Sequence, residues 1–177
     1  MASAVHMMLL AGYSLTGTVR SETGTPNNDS LAGITTRLVY KKAGLIVPNK
    51  PPSRVRLTLG ASSTTSCTIG SIYIGHKSGT SGFTATPVQF HVSGSNSFTI
   101  PTNSEVVTDF ASFAWDRVTD LLISFYQLSG NNRFYGTVDA NTLNFFKTGD
   151  DAANTSPTGY SSGSVLDLVR VIEMDGF

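Results

Sequence analysis

Arg54–Leu59, RVRLTL, constrains this chain more than any other stretch. Val55, Leu57 and Leu59 alternate with Arg54, Arg56 and Thr58, which is the period of a strand with one buried and one exposed face. Further strands are expected at Thr35–Lys41, Thr68–Gly75, Pro87–Val92, Ser97–Ile100, Val106–Trp115, Leu121–Leu128, Arg133–Val138 and Val165–Met174. No segment carries the i, i+3, i+4, i+7 spacing of an amphipathic helix, and no internal repeat or heptad is visible. Short strands with mixed faces predict an all-β fold, an antiparallel β-sandwich.

Turn chemistry punctuates the strands. Gly94, Ser95 and Asn96 read as a hairpin turn between Phe90–Val92 and Phe98–Ile100, and Asn131-Asn132 as another before Arg133. Pro51 and Pro52 cannot donate to a ladder, so 49–53 is a connector. Asp150–Gly163 is a long loop, of the kind that carries function or is ordered by a partner. Residues 13–33 are rich in Gly, Ser, Thr and Asn and read as an extended arm with at most short strand pieces. The expected organisation is an N-terminal arm over 1–33 and a sandwich over 34–177.

The N-terminal run Val5–Ala11 is too short to cross a bilayer, and no Lys or Arg precedes it, which makes a poor secretion signal. Met7, Met8, Leu9 and Leu10 are expected to be buried against neighbours, as an attachment element. The net charge is zero, which argues against a nucleic-acid binder. The charges are nevertheless divided. Residues 1–60 hold seven Lys/Arg against Glu22 and Asp29, whereas residues 101–177 hold four against ten acids. Either these charges mix on one surface, or a basic segment of one subunit docks on an acidic face of another. The one cysteine, Cys67, excludes an internal disulfide and reads as a small buried residue.

Several short segments follow one another in order: RVRLTLG, TIGSIYIG, PVQFHVSG, FTIPTNSEVVTD and TDLLISFY. Over Arg54–Tyr126 this series resembles the jelly-roll accessory domain that precedes the catalytic domain of bacterial SGNH (GDSL-type) esterases. The chain departs from that pattern at Asn103, where the family often has Gly. The esterase chemistry is also missing: Gly149-Asp150 is followed by Asp151 rather than Ser, and no His follows His91. The resemblance therefore implies the sandwich alone, with jelly-roll character and similar to carbohydrate-binding modules. The short apolar start is also similar to those of tailed-phage virion proteins.

Catalytic constellations are sparse. Cys67 with His76 or His91 is the one Cys/His option, and a strand-borne His is more often packing or surface. Asp116, Asp120, Asp150 and Asp151 are the carboxylates a glycosidase would draw on, but Asp116 and Asp120 occupy turn positions. His6, His76 and His91 are too scattered for a zinc set. No cofactor is expected beyond a structural calcium, for which Asp150 and Asp151 offer loop oxygens. Sugar binding asks for exposed aromatics, and Phe134, Tyr135 and Tyr160 are the candidates in or beside loops. Trp115 shares strand parity with Phe113 and is assigned to the core. Phe145 and Phe146 are adjacent, so a strand would point them to opposite faces.

The expected function is a non-enzymatic structural or adhesive component of a multi-subunit particle. In concrete terms this is a phage or phage-like virion protein (decoration, fibre, spike or tail-associated), assembled in the host cytoplasm. Its partners would be other particle subunits, copies of itself and cell-surface polysaccharide, with no nucleic acid and no membrane span. The alternative is a free carbohydrate-binding module that recognises bacterial surface polysaccharide.

Overall fold

The computed structural model describes residues 15–22, 27–134, 140–163 and 168–177, with backbone alone at 27–30 and 132–134. In chain order the strands are β1 (Gly17–Ser21), β2 (Asn27–Ser30), β3 (Ile34–Tyr40), β4 (Arg54–Gly60) and β5 (Cys67–Ser78). Next come β6 (Gly82–Phe83), β7 (Val88–Gln89), β8 (Phe98–Ile100), β9 (Glu105–Val107) and β10 (Ala111–Ser112). The last four are β11 (Leu121–Phe134), β12 (Thr142–Thr148), β13 (Ser161–Gly163) and β14 (Val169–Met174). A single 3-10 turn, Lys42–Gly44, is the only helical element among the described residues.

The strands form an antiparallel sandwich, as the alternating patterns predict. One sheet has five strands, in the order β1-β14-β4-β10 with β9 also on β4. The other has nine, in the order β13-β12-β3-β11-β5-β6, with β2 on β11 and β7 and β8 on β5. Between them lies one apolar core. Val55, Leu57, Leu59, Ile172 and Met174 of the smaller sheet meet Leu38, Tyr40, Ile74, Leu121, Ile123 and Phe125 of the larger. Trp115 is fully buried in that core, and its indole N–H donates to the Thr119 carbonyl at 2.8 Å. Burying so large an apolar group with its one donor satisfied follows the rule for polar handles on core aromatics.

Phase along β5 changes at one point. Ile69 faces the core with Ile72 and Ile74, although strict alternation forbids it. Pairing jumps from Ser71 opposite Tyr126 to Ile69 opposite Gln127, leaving Gly70 as the extra residue of a bulge.

Several boundaries differ from those expected, each for a local reason. The 94–96 turn lies one residue earlier: Ser93 (φ 51°) and Gly94 (φ 77°) are its central pair, as a two-residue hairpin turn of this hand requires. Val92 and Ser95 close it with reciprocal 3.0 Å bonds, and the Asp109 carboxylate accepts the Ser93 and Gly94 N–H groups. The expected Val106–Trp115 strand is split into β9 and β10. At the break the Thr108 hydroxyl accepts the Leu57 N–H at 3.0 Å, standing in for a main-chain carbonyl. Asn131-Asn132 is not a turn. There β11 continues and pairs with β2, while Gly130 (φ 81°) absorbs the change in direction. Of Pro87–Val92 only Val88–Gln89 is strand, and β12 and β13 lay within stretches not expected to be strands.

Part of the stretch expected as an arm is paired. Within 1–33, β1 pairs with β14 and β2 with β11, so short strand pieces of this stretch join the sheets. The divided charges meet within the chain: Arg56 lies opposite Glu173 on neighbouring strands, 2.8 Å apart, and Arg54 lies 3.6 Å from Asp175. Phe110 covers both guanidiniums at 4.6 and 4.8 Å. These pairs favour the mixing of charge on one folded surface.

Candidate functional site

The larger sheet is covered on both faces. Away from the core, Val39, Leu122, Phe83 and Phe145 form a second apolar cluster with Tyr73 and Tyr160 packed on it. In register across this outer face run Phe145, Arg37, Ser124 and Tyr73, one from each of β12, β3, β11 and β5. Arg37 is thus a cation in the middle of a sheet with apolar layers on either side, and it is fully buried.

A buried charge persists only if its donors are satisfied. Nη1 donates to the Ser81 carbonyl at 2.5 Å, and Nη2 to the carbonyls of Asp151 (2.9 Å) and Asn154 (2.6 Å). Nε donates to the Tyr160 hydroxyl at 3.1 Å. The rings of Phe83 and Tyr160 each lie 5.0 Å from the guanidinium carbon, within cation–π range. One side chain therefore ties two loops to the sheet, residues 78–83 and residues 149–160.

Other contacts lock the longer loop. The Thr35 hydroxyl donates to the Gly149 carbonyl at 2.6 Å and accepts the Asp151 N–H at 2.9 Å. Asn154 donates its side-chain amide to Asp151 at 2.9 Å, and Lys147 pairs with Asp151 at 3.2 Å. Burial pushes the Asp151 carboxyl up, but the bonds from Asn154 and Lys147 and the charges of Lys147 and Arg37 outweigh it, and the group is held below its usual range. The loops also touch directly: Phe83 N–H donates to the Thr155 carbonyl at 3.1 Å, and a Cβ on Gly82 would lie 2.7 Å from that oxygen. Only glycine lets the two backbones come so close.

Between these loops lies a cavity of about 320 Å³, lined by Ser78–Gly82 and Thr155–Pro157. Ser78, Thr80, Thr155 and Ser156 are exposed on its rim, whereas Ser81 and Gly82 are buried at its base. A second cavity, of about 200 Å³, lies beside His76, Thr84–Thr86 and Ser112–Ala114. His76 Nε2 accepts the Asp116 N–H at 3.1 Å, and its ring packs on Phe113 at 5.1 Å.

No protein-family model matches the chain, and no curated protein matches it.

Of the residues expected to matter, the structure gathers Tyr160, Asp150 and Asp151 around the Arg37 clamp. Tyr160 is half-buried with its ring against Arg37 and Lys147, and burial first of all pushes its hydroxyl up to about 12. It braces the loop and does not present an open platform. Asp150 accepts the Ala152 N–H at 3.3 Å. A calcium ion here would compete with Lys147 for the Asp151 carboxylate, and no group of three or more His, Cys, Asp or Glu is placed to hold a metal among the described residues. The Phe134 side chain, Tyr135 and Met7, Met8, Leu9 and Leu10 lie outside the described residues.

Asp116 and Asp120 serve turns. Asp116 accepts the Val118 and Thr119 N–H groups, and Asp120 accepts Lys42 N–H at 2.9 Å. Cys67 is fully buried, with its thiol pushed up to about 12 by burial. Cys67 starts β5 and His76 stands nine residues further along the same strand. At about 3.3 Å per residue they are roughly 30 Å apart and cannot act as a pair. Sequence reasoning missed Arg37. The available signal was a charged residue in ITTRLVY on the parity opposite Leu38 and Tyr40.

Proposed function

We propose that this protein is a non-enzymatic structural and adhesive component of a multi-subunit particle, of the phage or phage-like virion kind. The observation that carries this reading is an exposed aliphatic group beside the edge strand β1. Leu15 is 70% exposed, Ile46 61% and Val47 37%. The backbone ties the segments that carry them to the β1–β14 side of the smaller sheet: Ile46 N–H donates to the Val19 carbonyl at 2.9 Å, Lys50 N–H to that of Gly176 at 2.9 Å and Phe177 N–H to that of Leu15 at 3.3 Å. Exposed apolar side chains gathered along one sheet edge suit a surface that meets a partner. Leu15 follows the apolar run Val5–Ala11 closely in the chain. The edge of β1 and this patch would meet another subunit, and the clamped loops would face outward.

The test is the solution mass of the full chain, of a chain lacking residues 1–12, and of Ile46→Ser. A discrete oligomer that becomes monomeric in both variants, with the sandwich still folded, supports the reading. A monomer at every concentration sinks it. The second reading, a free module that recognises bacterial surface polysaccharide, draws support from the hydroxyl-rimmed cavity between residues 78–82 and 155–157.

A further inference from the structure

We infer that the cavity between residues 78–82 and 155–157 binds an uncharged polyhydroxyl group, in practice one sugar unit of a neutral polysaccharide. The inference rests on the reading of the chain as a binder of surface polysaccharide and adds the place and the ligand class.

Three features of the cavity argue for this. Its volume, about 320 Å³, stands at the small end of ligand sites. Its rim carries four exposed hydroxyls, from Ser78, Thr80, Thr155 and Ser156, each able both to donate and to accept, as a sugar hydroxyl does. None of its eight lining residues is ionisable. The nearest buried cation, Arg37, gives its donors to the carbonyls of Ser81, Asp151 and Asn154 and to Tyr160, so it offers no direct bond to an acidic sugar.

The walls are also held before any ligand arrives. Arg37 fixes Ser81 and Asn154 from below, and the close approach of Gly82 to Thr155 fixes the gap between the loops. Pre-formed walls reduce the ordering cost of binding. No aromatic lines the cavity, so stacking adds nothing and hydrogen bonds alone give a dissociation constant of about millimolar. Such a site acts usefully in many copies, where linked binding raises avidity by roughly 10²–10⁴.

The experiment is binding of the full chain to immobilised neutral polysaccharides (dextran, mannan, galactan) and acidic ones (hyaluronate, alginate), with bacterial capsular polysaccharides of both kinds. It is repeated with Thr80→Trp, which fills the cavity, and with Thr80→Ala/Thr155→Ala. Circular dichroism and the urea midpoint confirm folding of each variant. The expected result is retention on neutral chains only, unchanged from about pH 5 to 9, lost in Thr80→Trp and weakened about tenfold in the double variant. Retention that survives Thr80→Trp, or a preference for acidic chains, overturns this site and ligand class while leaving polysaccharide recognition standing. No retention on any chain overturns both.

Discussion

Replacing Arg37 by Ala tests the clamp most directly. The guanidinium engages three main-chain carbonyls, of Ser81, Asp151 and Asn154, and the Tyr160 hydroxyl. Each carbonyl left buried without a donor costs about 1–3 kcal/mol. The loops lie at the surface and water can follow the missing side chain, so the low end applies to each. The expected loss is about 3 kcal/mol for Arg37→Ala. Arg37→Lys keeps the charge but not the planar fork, and should lose about half as much. Urea titration followed by the single Trp, Trp115, reads the global change. Amide exchange over 78–83 and 149–160 reads the loops, which should lose protection first. A variant whose loops stay as protected as in the wild type, with less than about 1 kcal/mol lost, would refute the assignment of Arg37 as the loop clamp.

Other substitutions probe the scaffold. A Cβ on Gly130, which stands at φ 81°, would lie 1.7 Å from the Ser66 carbonyl oxygen. Gly130→Ala should therefore cost more than about 3 kcal/mol in urea titration, and a loss under about 1 kcal/mol would contradict this close backbone approach. Burial pushes the Asp175 carboxyl up, but bonds from Ser53 (hydroxyl and N–H) and Arg54 N–H, with the Arg54 charge, hold it below its usual range. Because the folded pKa is depressed, this contribution is present above about pH 4 and is lost as pH falls through the folded value. Asp175→Asn should flatten that acid limb in stability measured from pH 2 to 6, and an unchanged limb would count against it. Cys67, with its thiol raised to about 12 by burial, should resist maleimide in the native protein at pH 8 and react at once in urea. Rapid native labelling would show that β5 opens.

The sandwich was legible because strand alternation is a local property. Val55, Leu57 and Leu59 point one way whatever lies across from them, so β4 follows directly, and the central stretches of β3, β5 and β11 were legible from their apolar, β-branched runs. What failed was information that lives in partners. Asn131-Asn132 reads as a turn from its own chemistry, yet β2 offers it a ladder, and Gly130 bends the strand without reversing it. Thr108 looks like any strand threonine until its hydroxyl takes the Leu57 amide and splits the strand.

The candidate site shows the same division. Tyr160, Asp150 and Asp151 stood out because aromatic and acidic residues in a long loop attract attention, and the structure does bring them together. Their roles could not be read, because the group that organises them, Arg37, is more than a hundred residues away on β3. An arginine between Thr36 and Leu38 invites the reading of a surface charge on a half-exposed strand. It becomes a clamp only once β12 and β11 flank it and two loops close over it. A charged residue on the outer parity of a strand that has neighbours on both sides is thus the sequence signal to weigh. Either that face is solvated, or it holds a loop down, and a long loop rich in Ser, Thr, Asp and Gly downstream favours the second. Here that loop also forms one wall of the cavity, so the residue that secures the fold of this face also shapes what the face can bind.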